Sequence, residues 1–140
     1  MKLVFIGTTA VHHALVAAHL YLNNAKTIED VYALDGYCDT SLDRTGYPVY
    51  VGKDRHENKI YTLGLGSQLE VGIKAIKTFL EAMQPQSSEI QIQPIRISEE
   101  FLLFYLTKLD GLPGFYLLHQ KLATRILNKN MDVIASQILG

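Results

Sequence analysis

One pattern appears twice in the chain: an apolar run, a turn that contains glycine, and then a helical periodicity. Its two copies are VFIGTTAVHHAL at residues 4–15 and YTLGLGSQLEV at residues 61–71. An apolar run that stops at glycine is typical of a buried strand that turns into a helix. A crossover through a helix places successive strands parallel. The pattern therefore predicts an α/β fold with a small mixed, partly parallel sheet flanked by helices.

The other segments fit the same architecture. Residues 47–54 and 59–66 alternate β-branched and aromatic side chains around a polar turn, which predicts a hairpin. Residues 89–97 also alternate, and Pro94 among them predicts an edge strand because proline cannot donate to a sheet. Residues 67–83 have helical spacing, with Ser67 and Glu70 in the pattern of a capping box. The last third of the chain is expected to be helical.

Length and composition restrict the class of protein. A chain of 140 residues is the usual size of one domain, so we expect a single α/β domain over residues 1–140. Its 13 basic and 14 acidic side chains are intermixed, which argues against nucleic-acid binding. No apolar run is long enough to span a membrane. The single cysteine, Cys38, excludes an internal disulfide and a cysteine-rich zinc site, so the expected location is the cytoplasm.

The two glycine turns are candidate anion sites. A helix start offers unpaired N–H groups and a positive dipole end, and ligands gather at the carboxyl ends of parallel strands. The alternative is that each glycine only makes the turn and each hydroxyl residue only caps the helix, with no ligand bound. Neither turn has the lysine of a P-loop, and Leu69 stands where a dinucleotide fingerprint needs a small residue. The predicted ligand-binding residues are Gly7, Thr8, Thr9, His12, Gly64, Gly66 and Ser67.

The histidines near the first turn do not form a metal site by themselves. His12 and His13 point about 100° apart on a helix, and His12 lies two turns, roughly 10 Å, from His19. No metal site is therefore predicted unless ligands come from elsewhere. His13, at the helix start, is the candidate catalytic residue, as an anion donor or a general acid or base. A histidine satisfied within the core is the alternative.

Residues 35–46 form the best loop candidate, and two tempting motifs lie in it. Cys38 and Arg44 have the spacing of a cysteine-dependent phosphatase loop, but Asp39 and Asp43 would repel the phosphate and raise the thiol pKa. The aspartates of this region could also gather around magnesium, although acidic loops are usually solvated. Neither motif is retained as a predicted site.

The stretch GYPVYVGKDRHENKIYTLGLGSQLEVGIKAIKTFLE at residues 46–81 resembles the middle of short bacterial proteins grouped as domain of unknown function 3189. The resemblance includes the Gly52–Asp54 turn, the strand at Ile60 and Tyr61, and the glycine turn at 64–67. Gly7 and His13 match the N-terminal pattern of that family, so the resemblance spans roughly residues 1–85. It implies a fold and a bacterial origin without a reaction, a cofactor or an assigned site.

The leading hypothesis is a protein, of undecided enzymatic status, that binds a small phosphate- or carboxylate-bearing ligand over residues 7–13. The alternative is a non-catalytic interaction or regulatory module that self-associates as a homo-oligomer through its C-terminal helices. The hydroxyl and histidine groups at one strand end favour the first hypothesis. The absence of a complete catalytic constellation favours the second.

Overall fold

The computed structural model describes residues 1–31, 33–83, 89–110 and 112–139. The strands are β1 (Lys2–Gly7), β2 (Val49–Lys53), β3 (Lys59–Gly64) and β4 (Ile90–Pro94). The helices are α1 (His13–Tyr21), α2 (Ile28–Val31), α3 (Thr40–Arg44), α4 (Leu69–Ala82), α5 (Glu100–Lys108), α6 (Phe115–Lys129) and α7 (Met131–Leu139). No helix in the described ranges has both the length and the apolar character needed to cross a membrane.

The strands form one sheet in the order β2-β3-β1-β4. Strand β1 is central and parallel to both β3 and β4, while β2 and β3 form the antiparallel hairpin. The mixed sheet, the hairpin and the edge position of β4 confirm the prediction. The parallel partner that follows β1 is β3 rather than β2, because β2 lies at the outer edge as the first arm of the hairpin.

Two apolar layers enclose the sheet. On the face defined by Leu3 and Phe5, the main core contains the alanine-rich α1 together with side chains from α5, α6 and α7. Helix α1 is buried on all sides because its small alanines allow close approach to the sheet. On the opposite face, Ile6 packs against Leu69 and Ile73 of α4. The helical C-terminal third therefore covers one face, and α4 covers the other.

Two local predictions are wrong. Ser67 does not cap α4: residues Gly66–Gln68 form a turn of 3-10 helix, Ser67 is exposed, and the helix begins at Leu69 without a side-chain cap. The cause is Gly66, which has a φ of 64° and donates its N–H to the carbonyl of Thr8. Residues 35–46 are not a plain loop, because they contain α3, whose start is capped by Asp39.

A glycine at the end of β3 is required by close packing. Gly64 lies beside Gly7 in the parallel register, and an added Cβ would lie 2.5 Å from Asp43 Oδ1 and 2.7 Å from the amide of Ala10. We expect Gly64→Ala to lower the free energy of unfolding by about 3 kcal/mol in urea denaturation. Gly52→Ala is the matched control: its Cβ would meet only the Leu22 methyl, at 3.3 Å, and we expect a loss below about 1 kcal/mol. Equal losses would contradict the packing argument.

Candidate metal centre

The two glycine turns predicted from the sequence lie side by side. The amide of Leu65 donates to Gly7, and that of Gly66 donates to Thr8, at 3.0 and 2.8 Å. Both turns follow parallel strands, so they meet at the carboxyl edge of the sheet, as expected. The structure thus brings together all the predicted ligand-binding residues except the exposed Ser67.

Several polar groups of the first turn bond within the protein. The amide of Ala10 donates to Asp43 Oδ1 at 2.8 Å, and the hydroxyl of Thr8 donates to the carbonyl of Glu100 at 2.6 Å. Burial raises the pKa of Asp43, while the Ala10 amide and the positive charge of Lys108 oppose the rise. The Ala10 amide, which was expected to face an anionic ligand, therefore donates to the side chain of Asp43.

A buried chain of four polar side chains begins in the same turn. Thr9 Oγ1 lies 2.7 Å from His12 Nδ1, His12 Nε2 lies 2.8 Å from His119 Nε2, and His119 Nδ1 lies 2.6 Å from Asp110 Oδ1. His119 comes from the buried face of α6. In the assignment that leaves both rings neutral, Thr9 donates to His12, His12 to His119, and His119 to Asp110. The two imidazoles therefore meet at their Nε2 atoms, deep in the core.

Cys38 is the third member of this cluster. One ligand atom from each of His12, Cys38 and His119 lies within 4.8 Å of the others, and all three residues are buried. Cys38 has a φ of 58°, which is uncommon for a residue with a side chain, and its amide donates to the carbonyl of Val11. The adjacent Tyr37 is hydrogen-bonded to a threonine of α6. The chain is therefore anchored on both sides of the thiol.

Burial keeps the His12 imidazole and the Cys38 thiol uncharged. It lowers the pKa of His12 well below the usual value, with further lowering from His119 and His13. It raises the pKa of Cys38 to about 12, which the nearby Asp110 reinforces and a hydrogen bond with Tyr37 opposes. Neutral imidazole is the form that binds metals, and a metal ion itself displaces a thiol proton.

The hydrogen bonds around the cluster are of the kind found in the second coordination shell of metal sites. Metal-binding histidines almost always bond their other ring nitrogen to a carboxylate, a carbonyl or water, which fixes the tautomer and the ring orientation. Asp110 does this for His119, and the hydroxyl of Thr9 does it for His12. A hydroxyl both donates and accepts, so Thr9 remains paired when the Nε2 proton of His12 moves to Nδ1. The three-residue cluster therefore has the support of a metal centre.

An open cavity adjoins the cluster. It has a volume of about 540 Å³, and its walls include Asp110, Tyr116, Arg44 and the two neighbours of Cys38 in sequence. Burial raises the pKa of Tyr116, and the electrostatic influence of Cys38, Asp110 and Asp39 raises it further. Asp110 thus faces the cavity and also bonds His119. Asp110 therefore links the cavity wall to His119.

His13 lies apart from the three ligands. Its ring packs over Gly7, where a Cβ would come within 2.5 Å of Nε2. Neither ring nitrogen has a hydrogen bond of good geometry among the described residues, and the carbonyl of Ile95 is at most a weak acceptor for the ring. Burial lowers the pKa of His13 to about 4; the positive charge of Arg96 lowers it too, and the carbonyl of Ile95 partly offsets both. His13 is therefore a neutral, buried ring at pH 7.

From the sequence, His12 was predicted to contact an anion, and no metal site was predicted. The residues that join it in the cluster are Cys38 and His119, the latter 107 positions away. No spacing rule links residues so distant in sequence. The four aspartates at 35, 39, 43 and 54 are not among the groups that could share an ion in the described part of the chain.

Self-association through the C-terminal helices stays a prediction. Large apolar side chains on these helices are exposed to solvent, among them Leu102 and Tyr105 on α5 and Leu117 on α6. Exposed apolar side chains are common when scattered, and only contiguous patches indicate an interface.

Comparison with known proteins identifies a family. The family model described as "Protein of unknown function (DUF3189)" matches residues 2–138, so the similarity extends well beyond the first 85 residues. Comparison with curated proteins and with solved structures gives no significant match.

The burial of Asp43 predicts that the stability of the protein depends on pH. Because burial raises the Asp43 pKa, the stability from its protonated form is present below about pH 4 and is lost as the pH rises through the folded-state value. Asp43→Asn keeps an oxygen acceptor without the charge, so we expect its stability relative to the natural protein to increase from pH 4 to pH 7. Urea denaturation at several pH values measures this difference.

Asp43→Ala is the control because it removes the acceptor for the Ala10 amide. We expect it to lower the free energy of unfolding by about 1–3 kcal/mol. An asparagine variant whose relative stability decreases with rising pH would show that Asp43 acts through its charge instead.

Proposed function

The chain belongs to the DUF3189 family, whose description assigns no activity, and from its own geometry we propose that it binds a divalent transition-metal ion through His12, Cys38 and His119. One observation carries the proposal: two buried imidazoles, each bonded at Nδ1 to an oxygen, bring their Nε2 atoms to 2.8 Å from each other in a cluster with a buried thiol.

The charges of the site favour a divalent ion. Binding removes the Cys38 proton, so the thiolate and the Asp110 carboxylate together supply two negative charges to a dication. An unpaired charge is costly to bury, whereas this combination is neutral. The Nε2 atoms, now 2.8 Å apart, need to separate to about 3.3 Å around a tetrahedral ion. That adjustment of roughly half an ångström is small.

Zinc is the ion that this ligand set favours. Two imidazoles and one thiolate suit zinc, and three protein ligands leave one tetrahedral position open, as in catalytic zinc sites. The same ligands in a trigonal arrangement bind copper in electron-transfer proteins, so copper is the alternative for the test below. A reduced thiol is required for either ion, which makes the cytoplasm the location that accompanies this proposal.

Metal titration of the metal-free protein tests the proposal. We expect one zinc ion per chain, and a melting temperature that rises by about 10 °C at a zinc concentration of 100 times Kd. Cobalt in place of zinc is expected to give thiolate-to-metal charge-transfer absorption, which disappears in Cys38→Ser. We expect Cys38→Ser and His119→Gln to weaken zinc binding by more than about 100-fold, and Asp110→Asn by about 10- to 100-fold.

His56→Gln is the matched control because it removes an exposed imidazole from the β2–β3 turn. Its zinc affinity is expected to equal that of the natural protein. Circular dichroism of each metal-free variant confirms that it is folded. Equal zinc uptake by the natural protein, Cys38→Ser and His119→Gln would refute the site. Strong blue absorption with copper and weak zinc binding would reassign the ion.

We keep, as a second proposal, the binding of a small phosphate- or carboxylate-bearing ligand over residues 7–13. The unpartnered ring nitrogens of buried His13 beside Gly7 favour it, since a buried polar group is normally hydrogen-bonded. Phosphate or sulfate is then expected to raise the melting temperature above that in chloride at equal ionic strength. The rise should be absent in His13→Asn. An identical response of both proteins would exclude His13 as the donor.

A further inference from the structure

A row of lysines crosses the face of the sheet that α4 covers. Lys53 of β2 is the register partner of Lys59 of β3, and Lys59 is the register partner of Lys2 of β1. Directly opposed residues on neighbouring strands point to the same face and lie about 5 Å apart at Cβ. Three ammonium groups therefore stand side by side at the edge where β1 and β3 begin.

Two of these charges are not neutralised within the protein. Lys53 pairs with Glu57 at 2.8 Å, whereas neither Lys2 nor Lys59 forms an ion pair anywhere in residues 1–31, 33–83, 89–110 and 112–139. Like charges that face each other across strands are destabilising. An anion held between Lys2 and Lys59 would relieve this repulsion.

The surface next to the lysines is apolar. One step along the strands, Tyr61, Val4 and Ile92 form the next cross-strand row on the same face, and the row after it contains Leu63 and Ile6. Val4, Tyr61 and Ile92 are only partly buried. The face thus changes from cationic to apolar within one cross-strand spacing.

Helix α4 leaves this apolar region partly uncovered. Its first turns are anchored on the sheet by Leu69 and Ile73, while Ile76 is only half-buried and Phe79 is 62% exposed. Between the later part of α4 and the sheet lies an open groove of about 440 Å³, with Lys2 among its lining residues. This volume is within the range of small-molecule sites, which are mainly apolar with a few polar groups.

We propose that this groove binds a free long-chain carboxylate. The alkyl chain lies on Val4, Tyr61 and Ile92 beneath α4, and the carboxylate lies between the ammonium groups of Lys2 and Lys59. Charge complementarity selects this occupant: the protein as a whole is nearly neutral, with 13 basic and 14 acidic residues, so the pair of unneutralised lysines is a local feature at the end of an apolar groove. The proposal is independent of the metal centre, which lies at the opposite ends of β1 and β3.

Calorimetric titration with sodium dodecanoate below its micelle concentration tests the proposal. We expect saturable binding of one molecule per chain, at least tenfold weaker binding of dodecyltrimethylammonium, and no detectable binding of acetate. The double variant Lys2→Glu, Lys59→Glu is expected to reduce dodecanoate affinity at least tenfold. Lys121→Glu, which reverses one charge on α6 where the double variant reverses two, is the control and should bind as the natural protein does.

A second pair of variants tests the groove itself. Ile76→Trp fills it from the helix, and Ile90→Trp fills it from the rim, where folding is less sensitive because Ile90 is 38% exposed. We expect either folded variant to reduce dodecanoate affinity at least tenfold. Equal affinity in the filled and natural proteins overturns the proposal, as does equal affinity for the carboxylate and the ammonium amphiphile. Sedimentation with phosphatidylglycerol vesicles, in the absence of dodecanoate binding, would instead assign the lysine row to a membrane surface.

Discussion

The pairing of His12 with His119 joins the beginning of the fold to its last layer. The turn that follows the central strand is buried, and the side chains of Thr8, Thr9 and His12 all bond within the protein. Thr9 bonds His12 within the turn, and His12 in turn bonds His119 of α6 across the core. Loss of this connection would leave several buried polar atoms without partners at once. The packing of the C-terminal helices on the sheet thus depends on polar contacts as well as apolar ones.

Local pattern was sufficient for most of the fold. The apolar run of β1, the alternation in the hairpin and the proline of β4 each constrain a strand by its own residues, and each was placed correctly. The failures occurred where tertiary contacts override local preference. Ser67 has the residue type and spacing of a cap, but the hydrogen bond from Gly66 to Thr8 sets the backbone ahead of it, and α4 begins two residues later.

The candidate metal centre was less accessible to prediction for a related reason. His12 was named as an anion-binding candidate because it lies in the first glycine turn. Cys38 and His119 become its neighbours only through the packing of the 33–39 segment and of α6. The glycine-turn pattern predicted unpaired backbone N–H groups at the start of the following helix. The amide of Ala10 instead bonds Asp43, a carboxylate from a segment whose short helix was not foreseen. A single sequence indicates which residue types are present, but not which distant ones the core brings together.

Because His12 and His119 are 107 positions apart in sequence, the site can form only late in synthesis. A ribosome has to release His119 before the ligand set exists, so the first half of the chain emerges with His12 and Cys38 waiting for a partner that has not been made. Any ion held at this point would be captured only after α6 has docked. A break in the backbone between Cys38 and His119 would likewise separate the ligands onto two fragments. Occupancy of the centre would therefore report that the chain has been made and folded at least as far as α6.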